Sequence, residues 1–486
     1  MSGRAIKVLE KYGPMLSGEL ARRIEEDYGV SNTTARQILS RAKKPVNKIA
    51  TLSFTKNQKF FYLESQYMKQ KYAESLMKAI EKDSMINWIY IRAFQNQYGY
   101  VSKGILPALV AAPVKNVKGH KKHERIIQDL LKCNIIEEAD EEHWKLCDWV
   151  PAAEMNAMRS TGIEVVKKQI VHDFAGWARN INMVGYDSAK TLFEEAEFAN
   201  FQWAFSAPSY VQPLYNMQLE KNGFVVADVF YGKTADVEDI RFFLDKISII
   251  RRFKKLPVFL PILLVESVTP EALAELKKQK VLIALIRNLF DEKYTELLAD
   301  IVNIFTHASA IVSKNPTQIE KLFAEIAKAD GKFNDIVGDL FELMVGYYYY
   351  RIGSSFLMIG RKIRIPDSEK TNELDVLVQR EGKVIIVECK AKHSMLDAKF
   401  VQTWLNKNIP QTRKWLLNQY TDYKNMEFQL WALGGFTPEA EQLLKKAVDS
   451  AKKYKIEYLD RNQVMQRFRE GNVQHAIDLL NQYFRN

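Results

Sequence analysis

An α/β fold of several domains is what this sequence predicts, on three observations. First, two strand–turn–helix–strand runs, "LPILLVESVTPEALAELKKQKVLIAL" and "FQLWALGGFTPEAEQLLKKAVDSAKKYKIEYLD", share Thr-Pro-Glu-Ala at the helix start. Thr269 and Thr437 suit the N-cap, with Pro270 and Pro438 at the first helical position, where a missing N–H costs nothing. Second, "NELDVLVQREGKVIIVECKAK" holds two apolar arms around Arg380-Glu381-Gly382-Lys383, which reads as a hairpin. Third, the first seventy residues carry a helix, a turn, a second helix and two β-rich arms. With 486 residues, and roughly 150 per domain, about three domains are expected.

The elements follow in chain order. In residues 1–70, Ser17 is placed to cap "GELARRIEEDYG", Gly29 ends that helix, Ser31 caps "NTTARQILSRAKK", and Pro45 stops it. "ATLSFTKNQKFFYL" then supplies two arms around a Lys-Asn-Gln-Lys tip. Leu20, Ile24, Val30, Ile38 and Leu39 make the core. This order resembles a winged helix-turn-helix, which implies DNA contact through Asn32, Thr33, Thr34, Arg36, Gln37 and Arg41 on the second helix and Lys56 and Lys59 on the wing. Such modules also dock proteins, so both uses stay open. Ten Lys/Arg against five Asp/Glu in residues 1–50 make the local charge positive.

Residues 71–155 are helical and could form a second unit of the same kind. They hold His120, His123, Cys133, His143 and Cys147, whose spacings match no closed zinc pattern; buried thiols and surface histidines are expected. Residues 156–325 and 326–486 each contain one of the repeated runs, and "NGFVVADVFYGK" stands in the first where "GKVIIVECKAK" stands in the second. The pattern predicts a duplicated α/β fold, with convergent helix capping as the alternative.

The chemistry lies in the hairpin. Glu388 and Lys390 share one face of an otherwise Val/Ile strand, and charges there are costly unless paired or metal-bound. Asp375 lies on the neighbouring arm. Two hard carboxylates side by side favour Mg²⁺ or Mn²⁺, and an amine on the same face suits a phosphodiester under attack. An ion pair at a strand end is the bland alternative. Asp375, Glu388 and Lys390 resemble the signature of the PD-(D/E)xK, or restriction-endonuclease-like, nuclease superfamily, and "GGFTPEAEQLLKKA" is similar to the closing strand–helix of its Mrr-type members. Leu374 stands where the signature often has Pro. The resemblance covers residues 326–486. It implies a further acid, Glu342, on the preceding helix as a catalytic and metal-binding residue, and a Gln on the following helix, where Gln402 and Gln411 stand; Gln411 is taken as the catalytic candidate.

The fold expected is therefore α/β with an N-terminal winged helix-turn-helix domain (1–70), a helical or second winged unit (71–155), a degenerate nuclease-like α/β middle domain (156–325) and a nuclease domain (326–486). The middle domain is degenerate because Asp228 matches Glu388 but Phe230 matches Lys390, with Asn216 expected near the place of Asp375; Asp228→Ala is then expected to spare cleavage. Tyr347–Tyr350 covers all sides of a helix, so some are expected in the core and some on the surface, with base stacking by one of them the alternative. His393 and Lys392 are solvated loop positions within reach of phosphate.

Net charge +11 and pI near 9.1 favour a polyanionic partner. No apolar leader and no long apolar run predict a soluble, cytoplasmic protein without membrane contact, and three scattered cysteines fit a reducing compartment. The expected function is Mg²⁺- or Mn²⁺-dependent cleavage of DNA, in bacterial restriction or anti-phage defence, by a homodimer. A catalytically silent DNA-binding regulator or scaffold, a junction nuclease and a transposon-end nuclease are the alternatives.

Overall fold

The computed structural model describes the chain except residues 1, 141, 152–154, 186, 193–195, 216, 218–219, 254–255, 315, 329–336, 339, 366–370, 420–424 and 485–486. The chain divides into two compact units: Met1–Ser160 with Phe174–Leu289, and Thr161–Asp173 with Phe290–Asn486. Among the described residues no helix is long and apolar enough to cross a membrane.

The first unit opens with α1 (Ser2–Tyr12), β1 (Met15–Leu16), α2 (Ser17–Tyr28), α3 (Asn32–Ser40), β2 (Val46–Ile49) and β3 (Phe60–Leu63), with the strands ordered β1-β3-β2. Helix α2 ends at Gly29, whose φ of 60° suits a residue without Cβ. Ser31 caps α3 by accepting from the Thr34 amide. Ser17 does not cap α2: β1 runs straight into that helix, and its hydroxyl accepts from the Lys59 amide at 3.2 Å instead. Leu20, Ile24, Ile38 and Leu39 are buried together, with Val30 packed at the edge of their cluster.

The same order recurs next. Helices α4 (Gln70–Asp83) and α5 (Met85–Asn96) precede β4 (Tyr100–Ser102), a 3₁₀ turn at Leu106–Leu109, α6 (His123–Lys132), β5 (Ile136–Glu138) and β6 (His143–Leu146). The strand order β4-β6-β5 repeats β1-β3-β2, so the lone strand again pairs with the hairpin's last arm. Three of these five have protein partners: His123 Nδ1 lies 2.8 Å from the Tyr90 hydroxyl, His143 Nδ1 2.8 Å from Asp140, and Cys133 Sγ 2.9 Å from Thr51.

Helix α7 (Ala157–Asn180) follows, capped by Asn156. After β7 (Lys190–Thr191) and the pair β8 (Glu197–Phe198) and β9 (Phe201–Gln202) come β10 (Phe205–Pro208), β11 (Phe224–Phe230), α8 (Arg241–Ile250), β12 (Phe259–Val265), α9 (Pro270–Lys278), β13 (Leu282–Leu285) and α10 (Ile286–Leu289). The main sheet is ordered β13-β12-β11-β10-β7, parallel across the first three strands and antiparallel beyond.

The second unit contains α11 (Glu292–Lys314), α12 (Thr317–Lys328), α13 (Phe341–Arg351), β14 (Phe356–Arg364), β15 (Thr371–Arg380), β16 (Lys383–Lys390), α14 (Ala398–Thr403), a π-helical turn to Asn408, α15 (Ile409–Gln419), β17 (Asn425–Ala432), α16 (Pro438–Ser450), β18 (Lys455–Leu459), α17 (Arg461–Glu470) and α18 (Gln474–Tyr483). Its sheet runs β18-β17-β16-β15-β14, with the same alternation of parallel and antiparallel neighbours as the middle sheet. Even the connections agree. Ala235 N donates to Ser267 O and Thr269 N to Ala235 O; Leu396 N donates to Gly435 O and Thr437 N to Leu396 O. Thr269 and Thr437 cap α9 and α16 as the shared tetrapeptide predicts. The duplication is therefore one of topology, and capping alone does not account for it.

The second unit takes in α11 and α12 together with the residues from 326 onward. Helices α11 and α12 pack with α13, α18 and β14, because their buried Leu298, Ile301, Phe305, Leu322 and Phe323 complete that unit's core. Tyr347, Tyr348 and Tyr349 are buried as well, and the Tyr349 hydroxyl donates to Gln429 Oε1 at 2.7 Å.

Candidate functional site

The hairpin register builds the site. Strands β15 and β16 pair antiparallel through Leu377↔Ile386 and Val376↔Val387, so the next residues abreast are Asp375 and Glu388. Val, Ile and Leu on either side of the turn form the ladder because β-branched and apolar side chains pack well on a pleated surface. The carboxylates are thus carried to the sheet end by strands that the core holds rigid.

Asp375 is 7% exposed, and its Oδ2 accepts from the Cys389 amide at 2.7 Å. Lys390 Nζ lies 2.8 Å from Glu388 Oε1 and 3.5 Å from Asp375 Oδ2. One cation therefore already bridges both acids. Burial works against the Lys390 charge, but Asp375, Glu388 and Glu342 outweigh it and hold the ammonium well above the ordinary lysine range. Burial, with the same acids behind it, also pushes the Cys389 thiol well up, so that side chain is inert. The Lys390 ammonium lies 5.9 Å from the centre of the Phe400 ring.

Glu342 stands in the first turn of α13, half-buried, and its charge is felt by both Cys389 and Lys390. The structure thus brings Asp375, Glu388 and Lys390 into contact, with Glu342 adding negative charge to their surroundings. Gln411 is half-buried in α15, and among the described residues it shows no hydrogen bond to Asp375, Glu388 or Lys390; its neighbour Thr412 takes a contact to β15, accepting from Asn372 Nδ2 at 3.4 Å. Gln402 is exposed on α14.

Among the described residues no three of His, Cys, Asp and Glu gather into a ready ligand set. The donors that fit a divalent ion are the Asp375 and Glu388 carboxylates, converging where Lys390 Nζ now sits. Two hard oxygen ligands with water completing the shell suit Mg²⁺, which dehydrates reluctantly.

On the first module Asn32, Thr33, Thr34, Arg36, Gln37, Arg41 and Lys56 are exposed. Asn32 donates to Glu25, Thr34 meets the Ser31 hydroxyl, and half-buried Lys59 donates to Ala50 O at 3.2 Å. Arg36, Gln37, Arg41 and Lys56 are the long outward-facing side chains, with Thr33 exposed beside them.

The middle sheet has a different arrangement at the matching place. Phe205↔Ala227 sets Ala204 opposite Asp228, so Ala204 takes the position of Asp375; Asn216 lies outside the described residues. Asp228 and Lys246 are 1% and 0% exposed, with Lys246 Nζ 2.8 Å from Asp228 Oδ2 and donating also to Ala108 O and Gln202 O. Burial pushes the Asp228 carboxyl up to about 6 and the Lys246 ammonium down. Asp228 is thus a buried structural ion-pair partner. The sequence reading missed Lys246, although an Asp inside the apolar run "FVVADVF" signals a buried cationic partner.

No protein-family model and no curated protein matches the chain. Among solved structures, the chain is similar to AF1548, a protein of unknown function, with 14% identity and a TM-score of 0.18 over 24% of this chain and 54% of that one. It thus spans about half the length of that protein. It is also similar to the restriction endonuclease FokI, with 11% identity and a TM-score of 0.21 over 91% of this chain and 81% of that one. Both likenesses are weak.

Proposed function

We propose that the second unit is a metal-dependent phosphodiester hydrolase of the PD-(D/E)xK kind, Mrr-like in its closing strand–helix, acting on DNA in restriction or anti-phage defence. The observation that carries the reading is the placement of Asp375 and Glu388 abreast with Lys390 Nζ against both. A Mg²⁺ or Mn²⁺ ion held by Asp375 and Glu388, with Glu342 adding charge, would lower the pKa of a bound water and offset phosphate charge.

The chain's own residues do the rest. The Cys389 amide fixes the Asp375 carboxylate in place. Lys390, kept protonated by its acidic neighbours, is a donor to a phosphate oxygen rather than a base, so it stabilises charge that develops on the phosphate. The outward set Arg36, Gln37, Arg41 and Lys56, on what reads as a winged helix, supplies phosphate and base-edge contacts to duplex DNA. Each chain carries one complete centre and a duplex has two strands, so a homodimer is the working form.

Supercoiled plasmid incubated with Mg²⁺ tests this, beside EDTA and Lys390→Ala controls. Nicked or linear product only with wild type and metal is the expected result. A gel shift with no cleavage under any divalent metal would replace the hydrolase by a silent DNA-binding regulator.

A further inference from the structure

Past β16 the chain leaves the sheet as Ala391-Lys392-His393-Ser394, and this loop is fastened down. Tyr483 donates its hydroxyl to Ala391 O at 3.1 Å. On another side Gly434 lies so close that a Cβ there would meet Ser394 O at 2.3 Å and Lys392 O at 2.5 Å. The exposed His393 ring rests on Tyr483, with centroids 4.3 Å apart, and on Phe484, 4.7 Å apart. Phe484 also carries a second cation-forming side chain: the Arg461 guanidinium lies 4.2 Å from its ring centre.

Two nitrogen donors are therefore held on one aromatic ring. Neither Arg461 nor His393 has an ion-pair partner among the described residues, whereas nearby Arg467 is paired with Glu457 at 2.7 Å. The acids closest in sequence are turned into helix caps: Asp397 accepts from Phe400 N and Asp460 from Gln463 N. His393 is three residues from Lys390, so their Cα atoms are at most about 11 Å apart, within about three steps of a nucleic-acid strand at ~3.4 Å each.

We propose that His393 and Arg461, stacked on Phe484 and Tyr483, form a phosphate-binding rim that grips the DNA strand beside the phosphate to be cut. The inference rests on the hydrolase reading of Asp375, Glu388 and Lys390. A guanidinium stacked on an aromatic ring keeps its N–H edge free and is already ordered, which lowers the entropy lost when a phosphate binds. Phosphate contacts here position the strand without reading sequence.

Binding of a fluorescent duplex to the full-length protein across a salt series of about 50–300 mM tests the rim, with plasmid cleavage measured in parallel. Arg461→Ala leaves one phosphate unneutralised, so the slope of log K against log salt should become less negative by about 0.9, and binding should weaken roughly five- to ten-fold near 0.1 M salt. KM should rise with kcat nearly unchanged. Arg461→Lys should restore most of the slope, which a purely structural stacking role would not, and Phe484→Leu should behave like Arg461→Ala. Wild-type protein that cuts, with slope and KM unmoved in Arg461→Ala and His393→Ala, overturns the rim and leaves the hydrolase standing. Wild-type protein that binds with a rim-dependent slope but never cuts overturns the hydrolase instead.

Discussion

At the scale of single residues, the acids and amine of the site were legible in the sequence because alternation along a strand is strict and charges among Val and Ile stand out. The local partners were not. Nothing in the spacing shows that the Cys389 amide holds Asp375, or that Lys390 touches both acids. Lys390→Ala should lower kcat by about 10²–10³-fold if its ammonium stabilises charge in the transition state, and single-turnover cleavage measures this. His123 gives a separate prediction. Burial lowers its pKa to about 4, below the unfolded value near 6.5, so the folded state resists its protonation. The resulting stability is present above about pH 6.5 and is lost as pH falls toward 4, by up to about 3 kcal/mol. Urea midpoints across that window should fall for wild type and stay flatter for His123→Gln.

Among elements, the Ser31 and Thr437 caps and the repeated strand–helix runs were readable because caps and turns are local chemistry. Ser31 capped as its sequence predicts; Ser17 did not, since the pairing of β1 with β3 is a long-range event that no window of sequence contains. The buried Asp228–Lys246 pair joins β11 to α8 for the same kind of reason, and it alters one expectation. Asp228→Ala strands a buried ammonium, so any loss of cleavage in that variant reports unfolding and has to be read beside a melting curve. Lys246→Met alone should cost about 3–5 kcal/mol. Asp228→Leu with Lys246→Met should recover part of that, though not all, because Ala108 O and Gln202 O lose their donor. Denaturant titration of the three variants decides it. Lys56 lies exposed between β2 and β3, while Glu137 and Glu138 on β5 pair with Lys145 and Lys103. Lys56→Glu should weaken duplex binding in an anisotropy titration, and Glu138→Lys should not.

For the whole molecule, fold class and the presence of two related α/β parts were foreseeable; the place where the chain divides was not. Helices α11 and α12 have apolar faces that would fit either neighbour, and only packing assigns them to the second unit. That unit also takes Thr161–Asp173 from α7. Gly162 there lies so close to Phe305 that a Cβ would meet the Phe305 Cβ at 2.9 Å, and Asp173 accepts from the Tyr294 hydroxyl at 2.6 Å. A fragment beginning at residue 290 should therefore be poorly folded, with fast amide exchange in α11, even though it holds every residue of the proposed centre. Adding a peptide that spans Thr161–Asp173 should slow that exchange.

The borrowing of a stretch of α7 also fixes an order of events during synthesis. Ile163, Val166, Ile170 and Val171, all buried in the finished protein and grouped with residues 290–486, leave the ribosome roughly ten seconds before the first of those residues is made. Until then they are sticky surface on a nascent chain, and a message broken near codon 289 strands them there permanently, as bait for chaperones and for one another.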